Sequence, residues 1–276
     1  MIPFNYIFVL AFSVRMVGMA ALVVGLTGLL VGVLLGIAAK IFAVAVNEKE
    51  TKVRELLPGN NCGGCGFAGC DGLAKAIAEG KAPVNGCPVS NAETHKKIGE
   101  VMGKSVEEKE KQVAFVKCAG TCDKTVRKFN YEGIEDCRTA TFVPGKTDKA
   151  CSYGCMGFGS CVKVCKFDAI HVINGVAIVD KEKCVACGKC VVQCPQHIIE
   201  LVPYTAKEKV KCSSKDKGPA VMKACSAGCI GCMLCTKVCE SGAITVTDNL
   251  AHIDYSKCTK CGKCVQKCPR KIIVAE

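Results

Sequence analysis

The sequence predicts an α+β chain in which one long apolar helix precedes a series of small units organised around cysteine rather than around a large hydrophobic core. Three observations predict it: an uncharged run of 24 residues from Met16 to Ala39, 25 cysteines among 276 residues in short regular spacings, and a gapless internal repeat offset by 74 residues. Aromatic residues make up only 5% and Trp is absent, so large apolar side chains hold little of this chain together.

The first element is the apolar run. Bounded by Arg15 and Lys40, it is long enough to cross a bilayer core as a helix. A secretory signal is the rival reading, with Ala43-Val44-Ala45 as a loose cleavage site, but the run is too long and lacks a basic amino-terminal region. Residues 1–46 are therefore expected to be an uncleaved, single-pass anchor in the cell's inner (cytoplasmic) membrane. Lys40, Lys49, Lys52 and Arg54 follow it while only Arg15 precedes it closely, which puts the remainder on the cytoplasmic side. Gly28, Gly32 and Gly36 recur on one helix face, as in spans that pack against other membrane helices.

After a charged stalk, residues 47–90 carry Cys62-x2-Cys65-x4-Cys70-x16-Cys87, with glycines that let the backbone curl around a metal centre. Ala74 to Glu79 reads as a short helix ended by Gly80. Four thiolates also suit structural zinc. The cysteine-rich sequence downstream favours iron and sulfide, and runs such as Cys184-x2-Cys187-x2-Cys190 are too crowded to serve as disulfide partners for one another.

The repeat carries the strongest signal. Lys149-Ala150-Cys151-Ser152 matches Lys223-Ala224-Cys225-Ser226, and Cys184-x2-Cys187-x2-Cys190-x3-Cys194-Pro195 matches Cys258-x2-Cys261-x2-Cys264-x3-Cys268-Pro269. Each unit joins two cysteine runs through an apolar strand-like piece. This is the arrangement of two-cluster bacterial ferredoxins, in which the fourth cysteine of each run ligates the other run's 4Fe–4S cluster. The fold class expected is thus α+β: an N-terminal transmembrane helix, a small 4Fe–4S domain, then two tandem bacterial two-cluster ferredoxin-like units at 149–205 and 206–276. In the second unit the rule gives Cys229, Cys232, Cys235 and Cys268, then Cys258, Cys261, Cys264 and Cys239. In the first it gives Cys184, Cys187, Cys190 and Cys165.

One site departs from the rule. Phe158 stands where Cys232 stands in the other unit, leaving Cys155, Cys161 and Cys194. Cys151 as fourth ligand, a three-iron cluster, or another cap all fit the residues; Cys151 is the expectation. Cys118, Cys122 and Cys137, in a segment 91–148 read as linker and extra cysteines, form most of a further site that Cys151, Cys212 or Cys225 could complete. Five clusters are expected and six are possible. The polar stretch from Asn91 to Lys117, with Glu107-Glu108-Lys109 near its centre, reads as a linker in which some helix is possible, and mechanically as a tether.

The formal charge of +12 is no nucleic-acid signature. Each oxidised cluster with four thiolates carries about −2, so five clusters leave about +2 and six leave about zero. No glycine-rich nucleotide fingerprint is present, so neither NAD nor flavin is expected on this chain, and the four scattered histidines read as structural or solvent-facing.

The run Leu57-Pro58-x3-Cys62-Gly63-x-Cys65-Gly66-Phe67-x-Gly69-Cys70, placed after an apolar span and ahead of ferredoxin motifs, resembles the RnfB family of the Rnf ion-translocating electron transport complexes. The resemblance implies membership of a membrane assembly that oxidises ferredoxin, reduces NAD and moves sodium ions or protons. It implies that Cys62, Cys65, Cys70 and Cys87 hold a membrane-proximal cluster, that soluble ferredoxin is the donor, and that the other complex subunits are the partners. The chain would then be the electron-carrying subunit of a translocase. A membrane-anchored polyferredoxin serving a dehydrogenase or hydrogenase without ion movement is the alternative, and a non-redox module stapled by metal is a second.

Overall fold

The computed structural model describes residues 4–42, 47–106 and 110–275, so Ala43-Val44-Ala45 and Glu107-Glu108-Lys109 lie outside the described residues. The chain divides into two compact units, Met1–Glu48 and Lys49–Glu276.

The first unit is helix α1, Phe4–Ile41, which continues amino-terminally beyond the expected span, through Arg15. Its apolar portion, Met16–Ile41, is 26 residues long with none of its length buried. At 1.5 Å per residue that is about 39 Å, more than a bilayer core of about 30 Å. Exposed Leu, Val and Ile side chains surround it, and a Cβ at Gly28, Gly32 or Gly36 would meet nothing within 4 Å.

The second unit begins with three helices. The expected stalk is helical: α2, Glu48–Leu56, buries Val53. Helix α3, Gly69–Ala78, starts earlier than expected and so carries Cys70 in its first turn. Helix α4, Ala92–Met102, opens on an Asn91 side chain that accepts from Thr94 N–H at 2.8 Å and closes on left-handed Gly103. Val53, Leu73, Ala74, Ile77 and Ile98 form their shared core. Much of the stretch read as a tether is therefore packed structure.

The two ferredoxin units follow. The first comprises β1 (Gln112–Val116), α5 (Cys137–Ala140), α6 (Ser160–Lys163), β2 (Ile170–Ile173), β3 (Val176–Val179), α7 (Lys189–Gln193) and β4 (Ile199–Pro203). The second comprises β5 (Glu208–Val210), α8 (Gly218–Ala224), α9 (Leu234–Lys237), β6 (Ile244–Thr247), β7 (Leu250–Ile253), α10 (Lys263–Lys267) and β8 (Ile273–Ala275). Each holds two antiparallel ribbons, β2–β3 with β1–β4 in one and β6–β7 with β5–β8 in the other. Strand β1 lies in the segment read as linker, yet Val116 pairs with Ile199 as Val210 pairs with Ile273. Thin ribbons alone are marginal in water. Burial of Val113, Phe115, Ile170, Ile198 and Val202 beside Cys155, Cys161, Cys184 and Cys190 shows where the cysteines enter the core.

Candidate iron–sulfur sites

Each cysteine run of the ferredoxin units curls in the same way. Gly157 with Gly159, Ala186 with Gly188, Gly231 with Met233, and Lys260 with Gly262 all take left-handed backbone. Such turns aim successive N–H groups inward and form concavities for anions. That Ala186, Met233 and Lys260 accept this conformation is strain of the kind kept at functional sites.

The structure brings two of the regular sets together. Cys229, Cys232, Cys235 and Cys268 line one cavity with Gly231, Pro269 and Ile272. Cys190 is buried beside Cys184, Cys187 and Cys165; burial first, then those thiols, push its pKa up to about 12. Ala114 N–H, from β1, donates to Cys184 Sγ at 3.3 Å. The set Cys258, Cys261, Cys264 and Cys239 repeats this one at the 74-residue offset. Here burial and then the buried Glu208 carboxylate push Cys264 up to about 11. Cys239 sits below its ordinary range because hydrogen bonds from the Ser241 hydroxyl and nearby N–H groups outweigh burial.

At the irregular site the neighbouring cysteine differs from the one expected. Cys155, Cys161 and Cys194 line a cavity whose fourth cysteine is Cys137, not Cys151. Burial and then Cys155, Cys137 and Cys194 push Cys161 up to about 12. The local chemistry explains the placement. Asp136 caps α5 by accepting from Arg138 and Thr139 N–H. Cys137 N–H donates to Ser160 Oγ at 2.7 Å, and Ser160 Oγ donates to Asp136 Oδ2 at 2.8 Å. Phe158 stacks on Tyr131 with centroids 4.8 Å apart, a contact worth about 0.5–1.5 kcal/mol. It also packs against Cys137, Ala140 and Met156. The aromatic that stands at the position of Cys232 in the repeat thus packs against the segment that carries Cys137.

Cys118, Cys122 and Cys137 do not form one group. Cys118 and Cys151 line a separate cavity between the ferredoxin units, together with Cys212 and Cys225. Cys122 lines neither cavity. Its N–H donates to Asn174 O, its sulfur lies against the Asn174-Gly175 turn, and Arg127 hydrogen-bonds to it.

In the first domain Cys62, Cys70 and Cys87 are buried and Cys65 packs against the same core. Asn61 Oδ1 accepts from Cys70 N–H at 2.7 Å, and a Cβ on left-handed Gly69 would sit 2.9 Å from that oxygen, so glycine is required there. His95, missed as a site neighbour, places Nε2 3.0 Å from Cys87 O. The loop meets the first ferredoxin unit through bare backbone: a Cβ at Gly64 would lie 2.6 Å from Cys187 O and 3.0 Å from Cys187 Cα. Cys62 is close enough to Cys187 to raise the latter's pKa, behind the larger effect of burial.

The thiol sets suit an object larger than one ion. A tetrahedral zinc needs four sulfurs at about 2.3 Å from a single point. Among the described residues no three Cys, His, Asp or Glu side chains converge closely enough to hold one metal ion. Thiols raised by burial stay protonated at neutral pH, so assembly of a metal cluster would release their protons. When bound, 4Fe–4S clusters supply reversible one-electron chemistry over a wide span of potentials.

Known families match the same segments. A family described as "Putative Fe-S cluster" matches residues 57–89, a 4Fe-4S binding domain residues 177–200, and a 4Fe-4S dicluster domain residues 228–272. The chain is 44% identical over 247 residues to the B component of the ion-translocating oxidoreductase complex of Methanosarcina acetivorans, covering 89% of this chain and 93% of the relative. It is 45% identical over 252 residues to the B component of the Na(+)-translocating ferredoxin:NAD(+) oxidoreductase complex of Acetobacterium woodii, covering 91% and 75%. It is 44% identical over 261 residues to the B component of the proton-translocating ferredoxin:NAD(+) oxidoreductase complex of Clostridium ljungdahlii, covering 93% and 92%. With identity of 44–45% over 89–93% of its length, the chain belongs to the RnfB family of the ion-translocating oxidoreductase complexes.

Proposed function

We propose that this chain is the electron relay of a membrane ferredoxin:NAD oxidoreductase that moves an ion. Ferredoxin delivers electrons at the second ferredoxin unit, and the Cys62 site passes them to the membrane partners. In this reading Cys62, Cys65, Cys70 and Cys87 hold one 4Fe–4S cluster. The sets completed by Cys165, by Cys137, by Cys268 and by Cys239 hold four more. The anchor keeps the Cys62 site at the membrane, with the clusters on the cytoplasmic side as the basic residues after α1 favour.

The observation that carries the reading is the adjacency of the sites. The Cys62 loop touches Cys187 through Gly64, and Cys190 lies near enough to Cys161 to perturb it. At the other end Cys232 and Cys261 are the exposed cysteines. Lys257, Lys260 and Lys263 flank Cys261. Lys257 and Lys263 are ion-paired with Asp254 and Glu240, and Lys260 is the cation of the three with no carboxylate partner among the ion pairs of the described residues, which supports docking of an anionic electron carrier. The protein's own work is spacing and tuning; the redox chemistry belongs to the cofactors.

Full-length protein in detergent, mixed anaerobically with reduced ferredoxin, is expected to lose its visible iron–sulfur absorbance. Bleaching by dithionite without bleaching by ferredoxin would refute ferredoxin as donor.

A further inference from the structure

The cavity lined by Cys118, Cys151, Cys212 and Cys225 has an internal symmetry that identifies it. Cys151 and Cys225 are equivalent at the 74-residue offset of the repeat. Cys118 and Cys212 are equivalent as well, because each ends a Val-Lys-Cys run: Val116-Lys117-Cys118 leaves β1, and Val210-Lys211-Cys212 leaves β5. Their hydrogen bonds coincide. Lys117 N–H donates to Ile198 O at 2.8 Å and Lys211 N–H to Ile272 O at 2.7 Å. Cys155 N–H donates to Cys118 Sγ at 3.4 Å and Cys229 N–H to Cys212 Sγ at 3.3 Å. Each repeat thus contributes the same two cysteines to one place.

The place is shared across the repeats. A Cβ at Gly120 would lie 3.6 Å from Cys118 Sγ and 3.5 Å from Cys225 Sγ, and one at Gly154 would lie 3.6 Å from both Cys118 Sγ and Cys151 Sγ. Val126 N–H bonds to Ala224 O, and Ser226 N–H to Lys124 O, closing the repeats over the cavity. Lys149, almost wholly buried, lines the cavity and is held by Gly120 O at 3.0 Å and Gly175 O at 2.6 Å. A buried ammonium requires negative charge or strong acceptors nearby. Here it adjoins four sulfurs that acquire negative charge when they bind metal.

We infer that Cys118, Cys151, Cys212 and Cys225 hold a sixth 4Fe–4S cluster at the junction of the two ferredoxin units. Six sets of four then use every one of the 25 cysteines except Cys122. Assembly releases the thiol protons and makes iron–sulfur bonds. In operation one electron arrives from one neighbour and one leaves to the other, with no bond made or broken. The neighbours are given by Cys229 on one side and Cys155 on the other, so this cluster joins the two units into one path. That role rests on the relay reading; the cluster itself does not.

The test uses the full-length protein, purified anaerobically, with Cys212→Ala and Cys225→Ala as separate variants. Wild type is expected to hold about 24 irons and 24 sulfides, and each variant about 20. In the variants, reduced ferredoxin should still bleach the second unit's clusters, while onward reduction of the first unit slows at least about tenfold. A wild-type content of about 20, one zinc per chain, or unchanged iron in both variants would overturn the assignment. The wild-type count keeps the test decisive if either variant fails to fold. Loss of iron with no slowing would leave the cluster and remove its bridging role. Failure of ferredoxin to reduce any cluster, with about 24 irons present, would instead count against the donor proposed above.

Discussion

In the assembled membrane complex, a Cys70→Ser variant is expected to lose ferredoxin-dependent NAD reduction by at least about 10–100-fold while the ferredoxin units stay folded and reducible. Cys70 lies in the first turn of α3, where its N–H is held by Asn61, and its thiol is buried with Cys62 and Cys87. The core of that domain, built from Val53, Leu73, Ile77 and Ile98, is separate from those of the ferredoxin units, so damage should remain local. Steady-state turnover and the visible spectrum of the same preparation check both halves. Normal turnover in a well-assembled variant would mean that electrons bypass this cluster.

The second large effect concerns the site beside Phe158. Cys137→Ala should remove its fourth thiolate and leave a three-iron cluster, paramagnetic when oxidised. Cys151→Ala should not, because Cys151 faces the other cavity. The double variant Cys137→Ala/Phe158→Cys should restore a four-iron cluster, since position 158 aligns with Cys232 of the repeat. Its cost is the stacking of Phe158 on Tyr131, about 0.5–1.5 kcal/mol of stability. Electron paramagnetic resonance of the three oxidised proteins decides. A three-iron signal in Cys151→Ala and none in Cys137→Ala would reverse the assignment.

What could be read before the structure follows from what spacing encodes. A run such as Cys229-x2-Cys232-x2-Cys235 brings its own ligands together, and the 74-residue offset transfers the reading to the first unit. Cys137 was illegible because its partner positions are remote in sequence and its placement depends on the Asp136–Ser160 hydrogen bond and on Phe158 packing. The equivalence of Cys118 and Cys212 was missed for a different reason. They are 94 residues apart where Cys151 and Cys225 are 74 apart, so the first repeat carries 20 more residues between its two contributions. A three-residue match at a shifted offset shows only when both β1 and β5 are seen pairing with β4 and β8.

Helix α4 is another case. Its Asn91 cap and Gly103 stop are ordinary boundary signals, but the charged composition around them suggested a tether. Strand β1 carries four consecutive buried residues, and a short run without alternation does not announce itself as a strand. The anchor was legible by its composition, although the helix extends through Arg15 towards the amino terminus.

The most direct test of the relay is the rate at which the Cys62 cluster is reduced after full-length protein meets reduced ferredoxin, followed by freeze-quench spectroscopy in wild type and Gly64→Val. Any side chain at position 64 must displace the loop from Cys187, because its Cβ would lie 2.6 Å from a backbone oxygen. No cysteine is substituted, and because the new side chain abuts Cys187, iron and sulfide are measured on both proteins and the rates are compared at equal cluster content. If electrons reach the Cys62 site from the first ferredoxin unit across this contact, the valine variant will fill that cluster at least about tenfold more slowly, with the distal clusters reduced as fast as in wild type. Equal filling rates in both proteins would contradict the relay.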